Sequence, residues 1–197
     1  MQRKQLSAWV IAKDDPPTVD HVVQTAVAAV LSYMTARLFR LPEAYWAPMS
    51  TVIVMQTNLD AALPVSVQHF AGTAIGAAIG AVTATYFGES VWWFGAAVFV
   101  TGLVCVALRI ERSAYRYASV TLVIVMLVTR TGRAPSVAIH RFFEVSIGIA
   151  VGLLLFALWP EIGLLIGRLS AIKSLLREDF LPRGRTRGRV GRILRRE

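Results

Sequence analysis

The chain has 197 residues, 55% of them hydrophobic, and a formal net charge of +9 at neutral pH. Its mean hydropathy is +0.56. This composition is too apolar for an ordinary soluble domain of such length and indicates a membrane protein. The single cysteine, Cys105, excludes a disulfide within the chain.

The positive charge is unevenly placed. Residues 161–197 hold ten Lys and Arg against four acidic residues, whereas residues 20–160 hold eight against six. Most of the basic excess therefore belongs to a C-terminal tail. Residues 1–19 begin with a basic stretch and contain only a short apolar piece, so we expect a retained cytoplasmic leader rather than a signal peptide.

The apolar segments predict six membrane-spanning helices, since a span needs roughly 17–25 mostly apolar residues. In chain order they cover about Val22–Leu41, Tyr45–Leu59, Phe70–Phe87, Val91–Leu108, Ala114–Thr129 and Ile139–Trp159. The second and fifth are short, and Pro48 lies in the first turn of the second, where proline is tolerated. Residues 60–69, which include Pro64, predict a link, and Pro160 predicts the end of the sixth helix.

Two further segments follow the predicted spans. Residues 161–181 place apolar side chains at helical spacing and predict an amphipathic helix that lies on the membrane or packs on a partner. Residues 182–197 are rich in arginine and predict a disordered tail. We expect this tail to bind anionic lipid and not nucleic acid, because the membrane lies next to it.

The membrane segment contains an internal repeat. Residues 47–55 return as 118–126 and His69 returns as His140, both 71 positions later, while 75–80 return as 147–152 at an offset of 72. The pattern predicts two repeats, about 20–88 and 91–160.

Three spans per repeat would place the second copy in the opposite orientation. The expected fold is an all-α integral membrane protein with six transmembrane helices as two inverted three-helix repeats, plus a C-terminal amphipathic helix. An even number of spans puts both termini on one side of the inner membrane, and the basic tail favours the cytoplasm.

A stripe of small residues marks the third predicted helix. Gly72, Gly76 and Gly80 recur every four residues, and Gly148 and Gly152 belong to the second copy. Glycine at this spacing lets two helices approach closely in lipid. The stripe serves either packing within one subunit or an interface between subunits.

No catalytic motif is present. The sequence has no HExxH, no Walker lysine loop, no GxSxG and no Cys/His metal spacing. We therefore expect neither an enzyme nor a bound metal or cofactor.

Three ionisable side chains are candidates for a transport path. His69 and His140 are either titratable gate residues or interfacial histidines that cap helices. Glu144 lies well inside a predicted span, where a carboxylate is costly unless it is paired or faces a cavity. It forms either a local ion pair with Arg141 or part of the path, as a proton carrier or a ligand.

Arginines near the predicted spans outnumber the acidic residues that could pair with them. They are Arg37, Arg40, Arg109, Arg112, Arg116, Arg130 and Arg133. The excess predicts an anion-attracting vestibule, and its alternative is ordinary membrane anchoring. Anchoring fits Arg130 and Arg133 poorly, because those two would face outward. Gln56, on the short second helix, either lines a polar pore or bonds between helices.

Two stretches resemble one known family. Residues 45–56, followed by the glycine stripe, resemble the opening block of the fusaric acid resistance-like (FUSC) or aromatic acid exporter family, and residues 115–126 with 140–152 and 159–160 resemble its closing block. The resemblance implies a bacterial inner-membrane six-span module associated with efflux of aromatic carboxylic acids. A wider similarity to plant malate channels implies a dimer with an arginine-lined anion path. Larger family members carry a second membrane block or a cytosolic domain.

The leading hypothesis is a membrane transporter or channel for organic, notably aromatic carboxylate, anions. It would act as a homodimer in the efflux direction. The substrate and path candidates are Arg112, Arg116, Arg130, Arg133, Arg141, Glu144, His69, His140 and Gln56. The alternative is a non-transporting membrane scaffold that recruits partners through residues 161–197.

Overall fold

The computed structural model describes residues 18–88, 90–128 and 133–180. Their regular structure is helical throughout. The helices are α1 Val19–Leu38, α2 Trp46–Val54, α3 Leu59–Tyr86, α4 Val91–Ala107, α5 Arg112–Leu127 and α6 Ala134–Phe180. The chain divides into two compact units, residues 1–159 and 160–197.

The ends of α1, α4 and α5 fall within three residues of the sequence prediction. The predicted link at residues 60–69 is wrong, because α3 already begins at Leu59. The Asn58 side chain caps this start by accepting a hydrogen bond from the backbone N–H of Ala61 at 2.8 Å, and Asp60 adds favourable charge in the first turn. The helix contains Pro64 although proline has no backbone N–H to donate.

The predicted end at Pro160 is also wrong, since the helical backbone of α6 is assigned through Phe180. The predicted amphipathic segment is therefore helical to that residue. Residues 1–17 of the expected leader and the expected disordered tail lie outside the described residues, so both remain predictions.

The second predicted span is shorter than expected. Helix α2 has nine residues, or roughly 14 Å at 1.5 Å per residue, against roughly 30 Å of hydrocarbon in a bilayer. Among the described residues, Leu59–Tyr86 and Ala134–Leu164 are long and apolar enough to cross a membrane, and Val91–Ala107 is apolar but shorter.

Helices α3 and α5 pack side by side in the same direction. Their contact runs from Gly72 against Ala114, through Gly76 against Ala118, to Gly80 against Val125. At Gly72 and Gly76 a Cβ atom would collide with the backbone of α5. The glycine stripe is therefore what allows these two backbones to meet.

Helices α2 and α6 pack in the same way. Gly148 lies on the carbonyl of Ala47, and Gly152 lies one turn further along, against Thr51. The Thr51 hydroxyl also donates to the carbonyl oxygen of Gly148 at 2.9 Å. The predicted glycines thus serve packing within one chain at both places.

Helix α1 runs antiparallel to α6. Near the start of α1, the Trp159 indole N–H donates to the carboxylate of Asp20 at 3.0–3.1 Å. Past the end of α1, the backbone N–H of Glu43 donates to Glu144 Oε1 at 3.1 Å. The α1–α2 connection is therefore held against the first turns of α6.

Helices α1 and α4 end in the same backbone motif. In α1 the N–H of Leu41 reaches the carbonyl of Ala36, and in α4 the N–H of Ile110 reaches that of Cys105. These bonds form Schellman motifs. Each places an arginine in the left-handed region, Arg40 at φ 55° and Arg109 at φ 53°, where glycine is more usual.

Helix α4 buries only one narrow stripe, made of Ala97, Thr101 and Cys105. Its other positions are apolar and mostly exposed, with Trp92 and Val106 as examples. An apolar surface of this kind is typical of a helix that faces lipid or another membrane protein.

Candidate anion site at the start of α6

A buried pair of opposite charges lies one turn apart on α6. Glu144 is fully buried and Arg141 is 4% exposed. Arg141 Nη1 lies 3.8 Å from Glu144 Oε2, which is too long for a hydrogen bond. The ion pair expected from the sequence is present, but its two partners do not satisfy each other.

Glu144 has one satisfied oxygen and one that is not. Oε1 accepts the backbone N–H of Glu43, while Oε2 is buried without a hydrogen-bond partner. A buried carboxylate oxygen without a donor is costly. Such atoms are often found where a ligand or a proton belongs.

The main contact of Arg141 is made by the planar face of its guanidinium group. Its guanidinium carbon lies 3.7 Å from the ring centroid of Trp46, and the Trp46 indole N–H donates to Glu43 Oε2 at 2.7 Å. The cation–π contact positions the guanidinium but uses none of its N–H donors. Within the described part of the chain, Arg141 Nε and Nη1 are buried without hydrogen-bond partners, which leaves both nitrogens available for an acceptor.

A cleft of about 140 Å³ opens beside these groups. It is lined by Pro42, Glu43, Ser136, Val137, His140, Arg141 and Glu144. Pockets for drug-sized ligands are larger, roughly 300–1,000 Å³. The cleft therefore suits a carboxylate group or a small acid, with the Arg141 donors as its natural partner.

His69 does not lie at a helix boundary, as the sequence suggested, but is buried inside α3. Its Nε2 lies 3.2 Å from Ser50 Oγ on α2. Its ring packs on Tyr117 of α5, with centroids 4.3 Å apart. His69 thus fills a junction of three helices rather than the mouth of a path.

The contacts match His69 with Arg141, not with His140. Positions on α3 and α6 that make equivalent contacts differ by 72, as Gly76 and Gly148 do. At that offset His69 on Tyr117 corresponds to Arg141 on Trp46. The contacts therefore support a match of His69 with Arg141 instead of the match with His140 at an offset of 71.

The equivalent contact between α3 and α5 is filled. The Ser113 hydroxyl donates to Gln68 Oε1 at 2.6 Å, at positions that correspond to Pro42 and His140. Gly72, which corresponds to Glu144, lies directly on the carbonyl of Ala114. The α3–α5 contact thus differs from the α2–α6 contact, since Glu144, Arg141 and their cleft lie beside the latter in the described part of the chain.

Most of the predicted path residues lie elsewhere. Arg112, Arg116 and Arg133 are exposed on the surface, and Arg130 lies outside the described residues. Gln56 follows the end of α2 and donates to the carbonyl of Ile53 at 3.0 Å. Of the predicted set, the structure brings Arg141, Glu144 and His140 together at one cleft.

Sequence reasoning missed two participants, Trp46 and Glu43. The ring of Trp46 lies against the guanidinium of Arg141. The backbone N–H of Glu43 donates to Glu144 Oε1. One signal was available, since Trp46 and Tyr117 occupy equivalent positions at the offset of 71 and carry aromatic rings in both copies.

A larger cavity of about 430 Å³ lies between α3 and α4. Its lining is almost entirely apolar and includes Ile79, Phe87, Trp93 and Val100. Without convergent polar groups it cannot orient a charged ligand. Across the described residues, no three His, Cys, Asp or Glu side chains are grouped to hold a metal ion.

Comparison with known proteins places the chain in a family. The family model described as "Fusaric acid resistance protein-like" matches residues 21–155. The chain belongs to this family. The matched segment includes all the residues that line the cleft.

Individual relatives of the family are transporters or membrane proteins by name. The chain is 24% identical to "Inner membrane protein YeeA" of Escherichia coli, over 87% of this chain and 49% of that protein. It is 29% identical to a "Putative arylamide transporter" of Mycobacterium tuberculosis, over 80% and 47%. It is 26% identical to "Aluminum-activated malate transporter 14" of Arabidopsis thaliana, over 77% and 32%.

The chain thus spans about half or less of the length of these relatives. No solved structure matches it significantly. Family membership, together with the apolar helices, makes the chain a membrane protein of a transporter family.

Proposed function

We propose that the protein is a membrane transporter or channel for small organic anions, notably aromatic carboxylates, acting in efflux. The observation that carries this proposal is the buried guanidinium of Arg141, which lines a cleft and has two nitrogens without partners. Guanidinium groups bind carboxylates through short, charge-assisted hydrogen bonds. A buried cation with unused donors is therefore a site for such a group.

The preference for aromatic acids rests on the relatives, since Trp46 packs on Arg141 and is not among the residues that line the cleft. Relatives are named for the transport of an arylamide and of malate. The first name supplies an aromatic group and the second a carboxylate, and the proposed substrates combine the two.

We infer that the six helices form two inverted repeats of three. Two features support this inference. The same Schellman end occurs in α1 and α4, and the same glycine contacts join α3 to α5 and α6 to α2. Because α2 is too short to cross alone, it would end inside the membrane, as the broken helices of many transporters do.

The exposed arginines take a secondary role in this proposal. Arg112, Arg116 and Arg133 attract anions toward the protein without binding them in the cleft. We also propose that two copies pair in the inner membrane. Support for this comes from the apolar faces of α4 that stay exposed within the described part of the chain.

Flux of labelled benzoate in proteoliposomes tests the proposed function. The wild type should carry benzoate, and Arg141→Gln should reduce the rate at least tenfold, which corresponds to about 1.4 kcal/mol of lost interaction. Arg116→Gln is the matched control, because it removes an exposed arginine and should change the rate less than threefold.

Two further variants complete this test. Arg141→Lys keeps the charge and should retain partial flux, provided that both Arg141 variants elute as folded protein in detergent. Deletion of residues 161–197 should leave flux intact and would abolish a scaffold function. Equal benzoate flux in wild type, folded Arg141→Gln and empty liposomes would refute the proposal.

A further inference from the structure

The Arg141–Glu144 pair bears on how an anion can enter a buried site. Glu144 is the anion that currently faces Arg141, at 3.8 Å and without a hydrogen bond between them. A ligand carboxylate that binds the free donors of Arg141 competes with Glu144 for the same positive charge. This inference rests on the proposed function, since it concerns the same site.

The consequence for Glu144 follows from its burial. Once the guanidinium is engaged by a ligand, the Glu144 carboxylate is left with one backbone N–H at Oε1 and no donor at Oε2. An unpaired ionised carboxylate in a fully buried position costs several kcal/mol. Protonation removes that cost and converts Oε2 into a hydroxyl.

We propose that anion binding at Arg141 is coupled to the uptake of one proton by Glu144. One anion and one proton enter together, so the net charge of the cleft stays constant. The anion forms hydrogen bonds to the guanidinium, and the proton forms an O–H bond at Glu144 Oε2. Release reverses both steps, and no other reactant is required.

The groups that face Glu144 agree with this assignment. From the α1–α2 connection, Glu43 brings a second carboxylate to the same cleft, which disfavours a further unpaired negative charge. From α3, His69 lies on the side of Arg141, buried against Ser50. On α6 itself, His140 lines the cleft and is the competing proton acceptor.

The coupling also explains why the two halves differ. The first repeat has Gly72 where the second has Glu144, and His69 where the second has Arg141. It therefore has neither the permanent cation nor the carboxylate that would respond to an anion. A chain of this kind would take up one anion and one proton, not two of each.

Calorimetry of benzoate binding to the protein in lipid nanodiscs tests the coupling. Titrations in two buffers that differ in ionisation enthalpy give the number of protons taken up per benzoate. We expect about one proton, and a Kd that rises up to tenfold for each pH unit where the coupling is complete. Benzoate itself stays ionised well above the usual carboxyl pKa range, so the proton is the protein's.

Variants assign the proton. Glu144→Gln should bind benzoate with no proton uptake and a Kd that does not change with pH, while His140→Asn should keep the coupling. Proton uptake of zero in the wild type, or uptake that persists in folded Glu144→Gln, overturns the proposal. Where Glu144→Gln fails to fold, the wild type and His140→Asn decide together, because zero uptake in the wild type or uptake that is lost in His140→Asn overturns the proposal.

The two proposals fail in different ways. Benzoate binding that needs Arg141 but takes up no proton leaves the anion site standing and refutes only the coupling. A wild-type protein that binds no benzoate contradicts both. Proton uptake that is lost in His140→Asn and kept in Glu144→Gln would move the acceptor to His140 and refute the role given to Glu144.

Discussion

Phe70 on α3 and Phe142 on α6 contact each other, with ring centroids 5.0 Å apart. The two residues are separated by 72 positions, the same offset that relates Gly76 to Gly148. A residue that touches its own counterpart lies next to the axis that relates the two halves. This contact supports a two-fold relationship that the repeated strings alone only suggest.

The glycine contacts should be equally important in the two halves. Gly76→Ala and Gly148→Ala should each destabilise the protein by about 1–3 kcal/mol, because a Cβ collides with the backbone of the partner helix. Gly95→Ala is the control. Gly95 has no neighbour within 4 Å of a Cβ, and alanine in an exposed helix should stabilise it by about 0.5–1 kcal/mol.

Thermal unfolding in detergent, followed by loss of the monodisperse peak, measures these three variants. The inferred symmetry predicts similar losses for Gly76→Ala and Gly148→Ala. Unchanged stability in either one would contradict the close backbone approach at that position.

The hydroxyl of Thr51 should stabilise the contact between α2 and α6. Thr51→Val removes its hydrogen bonds to Ala47 and Gly148 while keeping the side-chain shape. Bonds of this kind in membrane proteins contribute about 0.6 kcal/mol on average and at most about 1.7 kcal/mol. Thr85→Val, which removes an exposed bond within α3, should cost less. Equal losses in the two variants would contradict a role in helix association.

Arg40 and Arg109 follow the ends of α1 and α4 with positive φ angles. This conformation predicts a stabilising substitution. Arg109→Gly should raise the free energy of unfolding by about 0.5–1 kcal/mol, because glycine adopts positive φ without the penalty of a side chain. Arg116→Gly, in the interior of α5, should instead lower it by about 1 kcal/mol. Chemical denaturation in mixed micelles can compare the two, and a loss of stability in Arg109→Gly would contradict the assigned backbone conformation.

Trp46 should contribute to anion affinity by positioning Arg141. Trp46→Leu removes the ring under the guanidinium and should raise the benzoate Kd about two- to thirtyfold, since such contacts are worth about 0.5–2 kcal/mol. Trp46→Phe keeps an aromatic face and should lose less. Trp92→Leu, at an exposed position on α4, should leave the Kd unchanged; a similar loss there would point to a general effect of tryptophan removal.

Much of the fold follows from the sequence. Apolar length and polar ends predict α1, α4 and α5 closely, since those helices depend on local composition. The start of α3 could not be placed, because Pro64 looks like a helix breaker while the Asn58 cap dominates in the structure. A helix cap involves only a few neighbouring residues, so it leaves a weak pattern in the sequence.

The site was harder to predict than the helices. Arg141 and Glu144 are adjacent on one helix and could be paired by spacing alone. The cleft depends on the backbone N–H of Glu43, about one hundred residues away in sequence, and no local pattern reveals such a contact. Equivalent glycines on α3 and α6 are 72 positions apart. The same spacing, applied to the rest of α3, matches His69 with Arg141.

The most direct test of the anion site is a distance measurement by solid-state NMR in lipid bilayers. Benzoate with a ¹³C-labelled carboxylate is added to protein that carries ¹⁵N in its arginine side chains. The account predicts that a guanidinium ¹⁵N dephases the carboxylate ¹³C signal. The distance between these two atoms should be about 3–4 Å, because the nitrogen is hydrogen-bonded to a carboxylate oxygen. The dephasing should disappear in Arg141→Lys and persist in Arg116→Lys. Dephasing that survives in Arg141→Lys would contradict the assignment of Arg141 as the anion-binding residue.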